Sequence, residues 1–295
     1  MANIKRISLL GFLIMLAAVL AGCGISKRPE YYYSDGDSYD MGGAIIDGEI
    51  RELDINWYNG NVEIAYYDGE DVKFSESSGD ELDDDLALRY KIEEKKLIIK
   101  FVKSGVRMPS DFKKTLTVSL PRGKAFSSIE VETVSADINV GNITAAEAEI
   151  KTISGRVELE EMSVLGTVDL SSVSGEMHAS FVSSLHGLYI DTVSGNVWAN
   201  AEEVEEFEME TVSGNITADF ASAPDKGTID SVSGDVTVSL TVEGGFTLDF
   251  STTSGQFESD FKVDESLHGR YVHGNGEKKY SAETVSGNIN IKEHH

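Results

Sequence analysis

The chain has 295 residues, 51 of them acidic against 25 basic, for a formal charge of −26 at pH 7. That excess of negative charge rules out nucleic acid as a sensible partner, because its phosphates would be repelled. With one cysteine in all, a disulfide framework and a thiolate-rich metal site are excluded.

Residues 1–22 read as a signal peptide. Lys5 and Arg6 form its positive start, and residues 7–20 are apolar apart from Ser8 and Gly11. A spanning helix needs roughly 20 apolar residues, so the stretch is too short to cross a bilayer. It ends in Leu20-Ala21-Gly22-Cys23, which resembles the lipobox of bacterial lipoproteins. The resemblance implies that Cys23 is lipidated, becomes the first residue of the mature chain and anchors an extracytoplasmic protein to the cell membrane. Residues 23–45, including Tyr31-Tyr32-Tyr33, lack clear periodicity and read as a tether, although the tyrosines have the alternative of packing on the domain.

Residues 46–120 read as an antiparallel β block that caps the repeats beyond it. Val62, Ile64 and Tyr66 alternate with polar residues, Asp68-Gly69 supplies a turn, and Val72 and Phe74 return as the second arm of a hairpin. A second hairpin pairs Leu88, Tyr90 and Ile92 with Leu97, Ile99 and Phe101. Tyr58-Asn59-Gly60-Asn61-Val62 resembles a worn copy of a phrase that dominates the rest of the chain.

That phrase is Thr/Ser-Val-Ser-Gly. It occurs around Ser135, Ser154, Ser174, Ser194, Ser213, Ser233, Ser254 and Ser286, at steps of 19, 20, 20, 19, 20, 21 and finally 32 residues. A near-fixed period of this length predicts a solenoid whose rungs stack on one another. Alternation after each glycine, as in Ile216-Ala218-Phe220, has period two and predicts strands. Helix-length periodicity is absent. The fold class is therefore all-β: a parallel β-solenoid over residues 121–295 with coils of about 20 residues, capped at both ends.

Stacking makes equivalent residues neighbours. The apolar residue before each serine (Val212, for example) and the one two after each glycine (Ile216) are expected to point inward. Asn215 is expected to face solvent, and the hydroxyls to form ladders that satisfy one another or the backbone. Glycine follows the serine because the corner needs either φ > 0 or a close backbone approach. The 32-residue step is expected to hold a capping hairpin, with Gly274-Asn275-Gly276 turning between Tyr271-Val272 and Tyr280.

Eight equivalent serines suit a repeated structural role better than catalysis, which needs one placed group. His178, His186, His268 and His273 show no paired metal-ligand spacing, and the acidic loops at residues 35–40 and 80–85 do not match a calcium-loop pattern. No metal and no cofactor are expected. Stacked carboxylates on neighbouring coils offer acid pairs about 5 Å apart, the spacing a glycan-cleaving enzyme would use. Alternating Glu206, Glu208 and Glu210 read rather as a solvated strand face, and the protein is not expected to be an enzyme.

Charge is unevenly spread. Residues 89–124 hold 11 Lys/Arg against three acidic residues, whereas residues 125–264 hold 26 acidic against four basic. The basic block comprises Arg89, Lys91, Lys95, Lys96, Lys100, Lys103, Arg107, Lys113, Lys114, Arg122 and Lys124. It is the candidate contact with an anionic surface, where each such charge contributes ~1 kcal/mol near a bilayer. The alternative is a set of solvated hairpin faces whose lysines discourage edge-to-edge pairing.

The run Leu116-Thr117-Val118-Ser119-Leu120-Pro121, the segment from Ile129 to Ser135 and the Thr-Val-Ser-Gly-Asn/Asp-Val/Ile repeats resemble the bacterial adhesin-like family with toastrack-type β-solenoid repeats. That family includes proteins similar to LiaG. The resemblance covers residues 46–292 and implies a cell-envelope β-solenoid, associated in some members with envelope-stress signalling; it brings no catalytic residues. The expected function is a non-enzymatic, lipid-anchored scaffold whose flat faces bind an envelope polymer or a membrane protein. The alternatives are an accessory protein of an envelope-stress sensory system, acting through a membrane-protein partner, and a glycan-active β-helix enzyme.

Overall fold

The computed structural model describes residues 30–267 and 269–294; the signal peptide, Cys23 and His268 lie outside them. Each rung of the stack is two strands joined by two corners. In one such rung, strand Thr144–Thr152 leads through Ile153-Ser154-Gly155-Arg156 into strand Val157–Val164, and Leu165-Gly166 returns the chain to strand Thr167–Ser172. Strands before the serine corner build a first sheet, and strands after it a second. Successive rungs pair parallel and in register in both.

Register turns the period-two alternation into continuous apolar columns. In the first sheet Ile99, Ile55, Val131, Ile150, Leu170, Ile190, Met209, Ile229, Ala282 and Phe250 lie one above another. In the second, the column runs Leu116, Val62, Ile138, Val157, Met177, Val197, Ile216, Val236, Ile289 and Phe257. Both columns have ten members among the described residues, which at ~4.8 Å per rung gives a stack roughly 45 Å long. All but the terminal Phe250 and Phe257 are buried. Burial of each such side chain contributes about 1.5–3 kcal/mol, and one core cluster runs from Ile46 to Ile291.

Chain order and stacking order differ at both ends. Strand Glu52–Tyr67 is a complete rung, with Gly60 opposite Ala136 and Val62 opposite Ile138. It lies between strand Ala125–Gly141 and the outer rung made by strands Lys96–Lys100 and Lys114–Pro121. At the other end, strands Lys278–Thr284 and Ile289–Glu293 lie between the Ser233 rung and the rung of strands Gly245–Thr252 and Phe257–Ser259. The first and last rungs of the sequence are thus each second from an end of the stack.

This insertion corrects two of the expected hairpins. The chain turns at Asp68-Gly69, but strand Val72–Ser77 pairs antiparallel with Lys114–Pro121, which stands between it and Glu52–Tyr67. Likewise the turn at Gly274-Asn275-Gly276 forms, but strand Arg270–Gly274 pairs with Gly245–Thr252, which separates it from Lys278–Thr284. The hairpin between Arg89–Glu93 and Lys96–Lys100 forms as expected, in the register Tyr90 opposite Ile99. The solenoid therefore reaches back across residue 120, and the antiparallel cap is confined to the outermost strands. Much of the expected tether is also ordered on that cap: Glu30–Tyr31 pairs with Val106–Arg107, Asp40–Met41 with Arg89–Glu93, and Ala44–Ile46 with Val72–Ser77.

The column before the serines is not interior. Val212 is half-buried, and Val232 and Val285 are 44% and 50% exposed, because the chain rounds the corner there. The hydroxylic residue one earlier (Thr211, Ser231, Thr284) points inward instead. Ile216→Asp should therefore prevent folding or cost more than about 4 kcal/mol, as an unpaired charge in the core does. Val212→Asp should stay within about 1 kcal/mol of wild type. Denaturant unfolding of the two variants checks this; equal losses would return Val212 to the interior.

Candidate functional site

The serine corner is built from three kinds of backbone-directed bond. In four successive phrases the first hydroxyl closes its own corner: Ser172, Thr192, Thr211 and Ser231 donate to the carbonyls of Gly175, Gly195, Gly214 and Gly234 at 2.5–2.9 Å. The central serine reaches the rung beneath, as when Ser194 Oγ and N–H both donate to the Val173 carbonyl, at 3.0 and 2.8 Å. The Asn/Asp after the glycine extends the ladder, since Asn215 Oδ1 accepts the Asp235 N–H at 3.0 Å and Asp235 Oδ1 accepts the Asn288 N–H at 2.7 Å. Each of these hydroxyl protons is thus committed to a carbonyl in a structural role repeated along the stack.

Glycine is required here by close approach rather than by a left-handed backbone. A Cβ on Gly175, Gly195, Gly214 or Gly234 would stand 1.9–2.1 Å from the glycine carbonyl oxygen of the rung beneath. Ala136 escapes this because its lower neighbour is Gly60, the one corner glycine with positive φ, +105°.

The outward face of the first sheet is strongly acidic. Asp191, Glu210, Asp230 and Glu283 occupy one position in four consecutive rungs, and Glu130, Glu149 and Asp169 a neighbouring one. The few basic residues are drawn into this face: Lys151 pairs with Glu149 and Glu132, Lys96 with Asp54 at 3.0 Å and Glu130 at 3.6 Å, and Lys226 with Glu206. The outward face of the second sheet carries an aromatic pair, His178 beneath Trp198, with ring centroids 4.5 Å apart and planes at 17°. An open groove of about 680 Å³ runs over that pair. No motif singles out either residue, yet the period can find them, since Met177-His178-Ala179 and Val197-Trp198-Ala199 are one repeat apart.

The structure does not gather the basic block onto one free surface. Lys114 is buried, and so cannot touch an anionic surface. Its Nζ donates to Glu76 Oε2 at 2.6 Å, to the Leu86 carbonyl at 2.7 Å and to the Phe101 carbonyl, with the Trp57, Phe101 and Phe112 rings around it. Burial pushes its pKa down to about 8 against the pull of Glu76. It stands opposite Gly60, where the chain detours between Phe101 and Phe112 and leaves carbonyls that a cation can satisfy. Arg89 is also buried, donating Nη2 to the Asp84 carbonyl at 2.5 Å, with Nη1 unpaired among the described residues.

Most of the remaining members have carboxylate partners. Lys91 pairs with Glu93, Lys95 with Glu49, Lys103 with Asp85 and Arg122 with Asp68, while Lys100 approaches Asp54 at 3.9 Å. Lys124 donates to the Glu70 carbonyl, Arg107 lies in the short strand paired with Glu30–Tyr31, and Lys113 is exposed. In the acidic loops, Asp83 Oδ1 accepts the N–H groups of Asp85 and Leu86, and Ser38 closes on the Asp35 carbonyl. Among the described residues no group of three or more His, Cys, Asp or Glu is arranged to hold a metal ion.

The family described as Toastrack DUF4097 matches residues 50–292. The chain belongs to that family. Three solved structures are similar to the chain. A candidate cell-adhesion protein of Clostridium sporogenes is 15% identical, with 86% of this chain and 99% of that one covered and a TM-score of 0.31. A candidate lipid-binding protein of Parabacteroides distasonis is 12% identical over 87% and 97%, with a TM-score of 0.49. A candidate adhesin of Bacteroides fragilis is 8% identical over 85% and 97%, with a TM-score of 0.36. No curated protein matches the chain in sequence.

The parallel register of the Toastrack stack has an electrostatic consequence. Asp191 is pushed up to about 7, first by burial and then by Glu210, Asp169 and Glu208. Burial likewise raises Asp169, Asp230 and Glu130. A carboxyl with a folded pKa above its unfolded value of about 3.9 binds its proton more tightly in the native state. Its stabilising contribution is complete below pH 4 and lost as pH rises through 7. Thermal unfolding should therefore occur a few degrees higher at pH 5 than at pH 7.5, at about 2–4 °C per kcal/mol. Asp191→Asn should flatten the profile; an unchanged slope in that variant would remove Asp191 as its source.

Proposed function

We propose that this Toastrack protein is a non-enzymatic, lipid-anchored binding scaffold of the bacterial cell envelope. The observation that carries the reading is the in-register stack itself. Its interior is filled by apolar columns, and its two outward faces repeat the same positions rung after rung, so chemistry is spread over a long rigid surface. Such surfaces serve recognition by many modest contacts. Anchoring is supported by the lipobox-like Leu20-Ala21-Gly22-Cys23.

Cys23 and Glu30 are seven residue steps apart, and at no more than about 3.6 Å per step they limit the distance from bilayer to cap to roughly 25 Å. The capped end would face the membrane, and the acidic stack would be repelled outward from an anionic leaflet. Of the basic block, Lys91, Lys95, Lys96, Lys100, Lys103, Arg107, Lys113, Arg122 and Lys124 are left to meet that surface. Their existing carboxylate pairs make any such attraction weak and sensitive to salt.

Crosslinking capture from intact cells, with Cys23→Ser as the unanchored control, tests the proposal. Wild-type protein should fractionate with membranes and recover envelope polymer or lipid that moderate salt releases, while the Cys23→Ser chain is shed. Retention of Cys23→Ser on membranes would overturn the anchor. Enrichment of a single membrane protein in place of polymer would replace the scaffold by an accessory of a sensory system.

A further inference from the structure

We propose that the open groove over Trp198 is a glycan-binding subsite for a pyranose that carries a free amino group, such as an unacetylated hexosamine. The proposal rests on the scaffold reading and gives it a place and a ligand class.

The groove lies on the second sheet, where Glu158, His178, Trp198 and Thr217 succeed one another in register. Trp198 stacks on His178 with one ring face, and the next rung offers only the small Thr217 on the other side. The indole is still 39% exposed, so a flat aromatic surface stands open on a sheet otherwise clothed in polar side chains. The axial C–H groups of a pyranose complement such a face. The same groove is lined by Glu160 and Asp219, whose carboxylates accept hydrogen bonds from adjacent hydroxyl or ammonium groups, and by Asn142 and Asn200, whose amides accept through Oδ1 and donate through Nδ2.

The groove wall is formed by an irregularity in the stack. Strand Val157–Val164 bulges between Leu159 and Met162, which face Ala179 and Phe181 across the pairing, so three steps on one strand meet two on the next. The bulge raises Glu160 and Glu161 as a rim. Glu161 and the adjoining Asn142 both adopt left-handed backbone, each with φ of 48°. A non-glycine residue in that region carries backbone strain, and bulges of this kind commonly re-aim side chains beside binding sites.

Charge and backbone pairing select the ligand class. Among the described residues Glu158, Glu160, Glu161 and Asp219 line the groove and no lysine or arginine does, which disfavours uronic acids and phosphate-bearing polymers and favours an ammonium group. Arg156 lies 3.7 Å from Glu158, and His294 bonds to Asp219 at 2.6 Å, leaving Glu160 and Glu161 as the carboxylates of the rim. Strands on both sides are paired, so a peptide main chain finds no free edge to join. A single aromatic platform beneath one sugar gives weak binding per site, strengthened when a polymer meets many anchored copies.

The test uses the full chain, purified from membranes in a non-glycosidic detergent, and titrates a glucosamine tetramer by calorimetry in wild type and variants, with tryptophan emission followed alongside in the wild type. The chain has two tryptophans, and Trp57 is buried in the core, so the responsive signal belongs to Trp198. The tetramer should bind, Trp198→Ala should lower affinity at least tenfold, and Trp198→Phe should retain part of it with unchanged thermal stability. The N-acetylated tetramer should bind several-fold more weakly. Equal affinity for wild type and Trp198→Ala, equal affinity for the acetylated tetramer, or tetralysine binding in its place would each overturn the proposal. If Trp198→Ala still captures envelope polymer from cells as wild type does, the subsite fails while the scaffold stands; if wild type captures none, the scaffold itself fails.

Discussion

Everything in this protein depends on how closely one rung can approach the next at the serine corner. Adjacent glycines meet there Cα to carbonyl, with no room for a Cβ on Gly175, Gly195, Gly214 or Gly234. That absence of side chains lets the corner close at the spacing that the flanking strands' hydrogen bonds set. Register in turn lines up the apolar columns, commits the corner hydroxyls to carbonyls and brings like charges on the outer faces together. The cost of the last effect is visible in Asp191, whose proton is held to near neutral pH by burial and by the carboxylates above and beside it.

Open solenoids have a second problem, the unpaired strand at each end. Here the chain's first and last rungs are tucked one place inward, and a later or earlier segment covers them. Strand Glu52–Tyr67 has neighbours on both sides, as do Lys278–Thr284 and Ile289–Glu293. The strands left outermost are short or antiparallel, including Asp40–Met41, Ala44–Ile46 and Asp264–Leu267.

Period and alternation make the stack legible in the sequence, including the worn rung at Gly60, because stacking demands that equivalent residues recur. Insertion of one strand between two others leaves no local mark. The turns at Asp68-Gly69 and Gly274-Asn275-Gly276 resemble hairpin turns because turn chemistry reports only that the chain reverses, not which strand lies beside it. Alternation misplaces Val212 since it breaks at a corner, where the inward residue is the hydroxylic Thr211. By residue type Lys114 is a surface charge, although it shares the inward phase of Leu116, Val118 and Leu120 and stands opposite Gly60. The aromatic pair of His178 and Trp198 shows up only when repeats are laid over one another and the outward columns compared.

Function follows from the same geometry. A core filled by stacked columns leaves its outer faces for contact, and on the second sheet the bulged rim and the exposed indole above His178 depart from repetition. The fold itself stands or falls on the corner contact, and the direct test is denaturant unfolding of Gly214→Ala beside Gly79→Ala, whose site has nothing within 4 Å of the added carbon. The clash with Gly195 O should lower the stability of Gly214→Ala by about 2 kcal/mol or more, with Gly79→Ala unchanged. Wild-type stability in Gly214→Ala would mean that close approach at the corner does not require glycine.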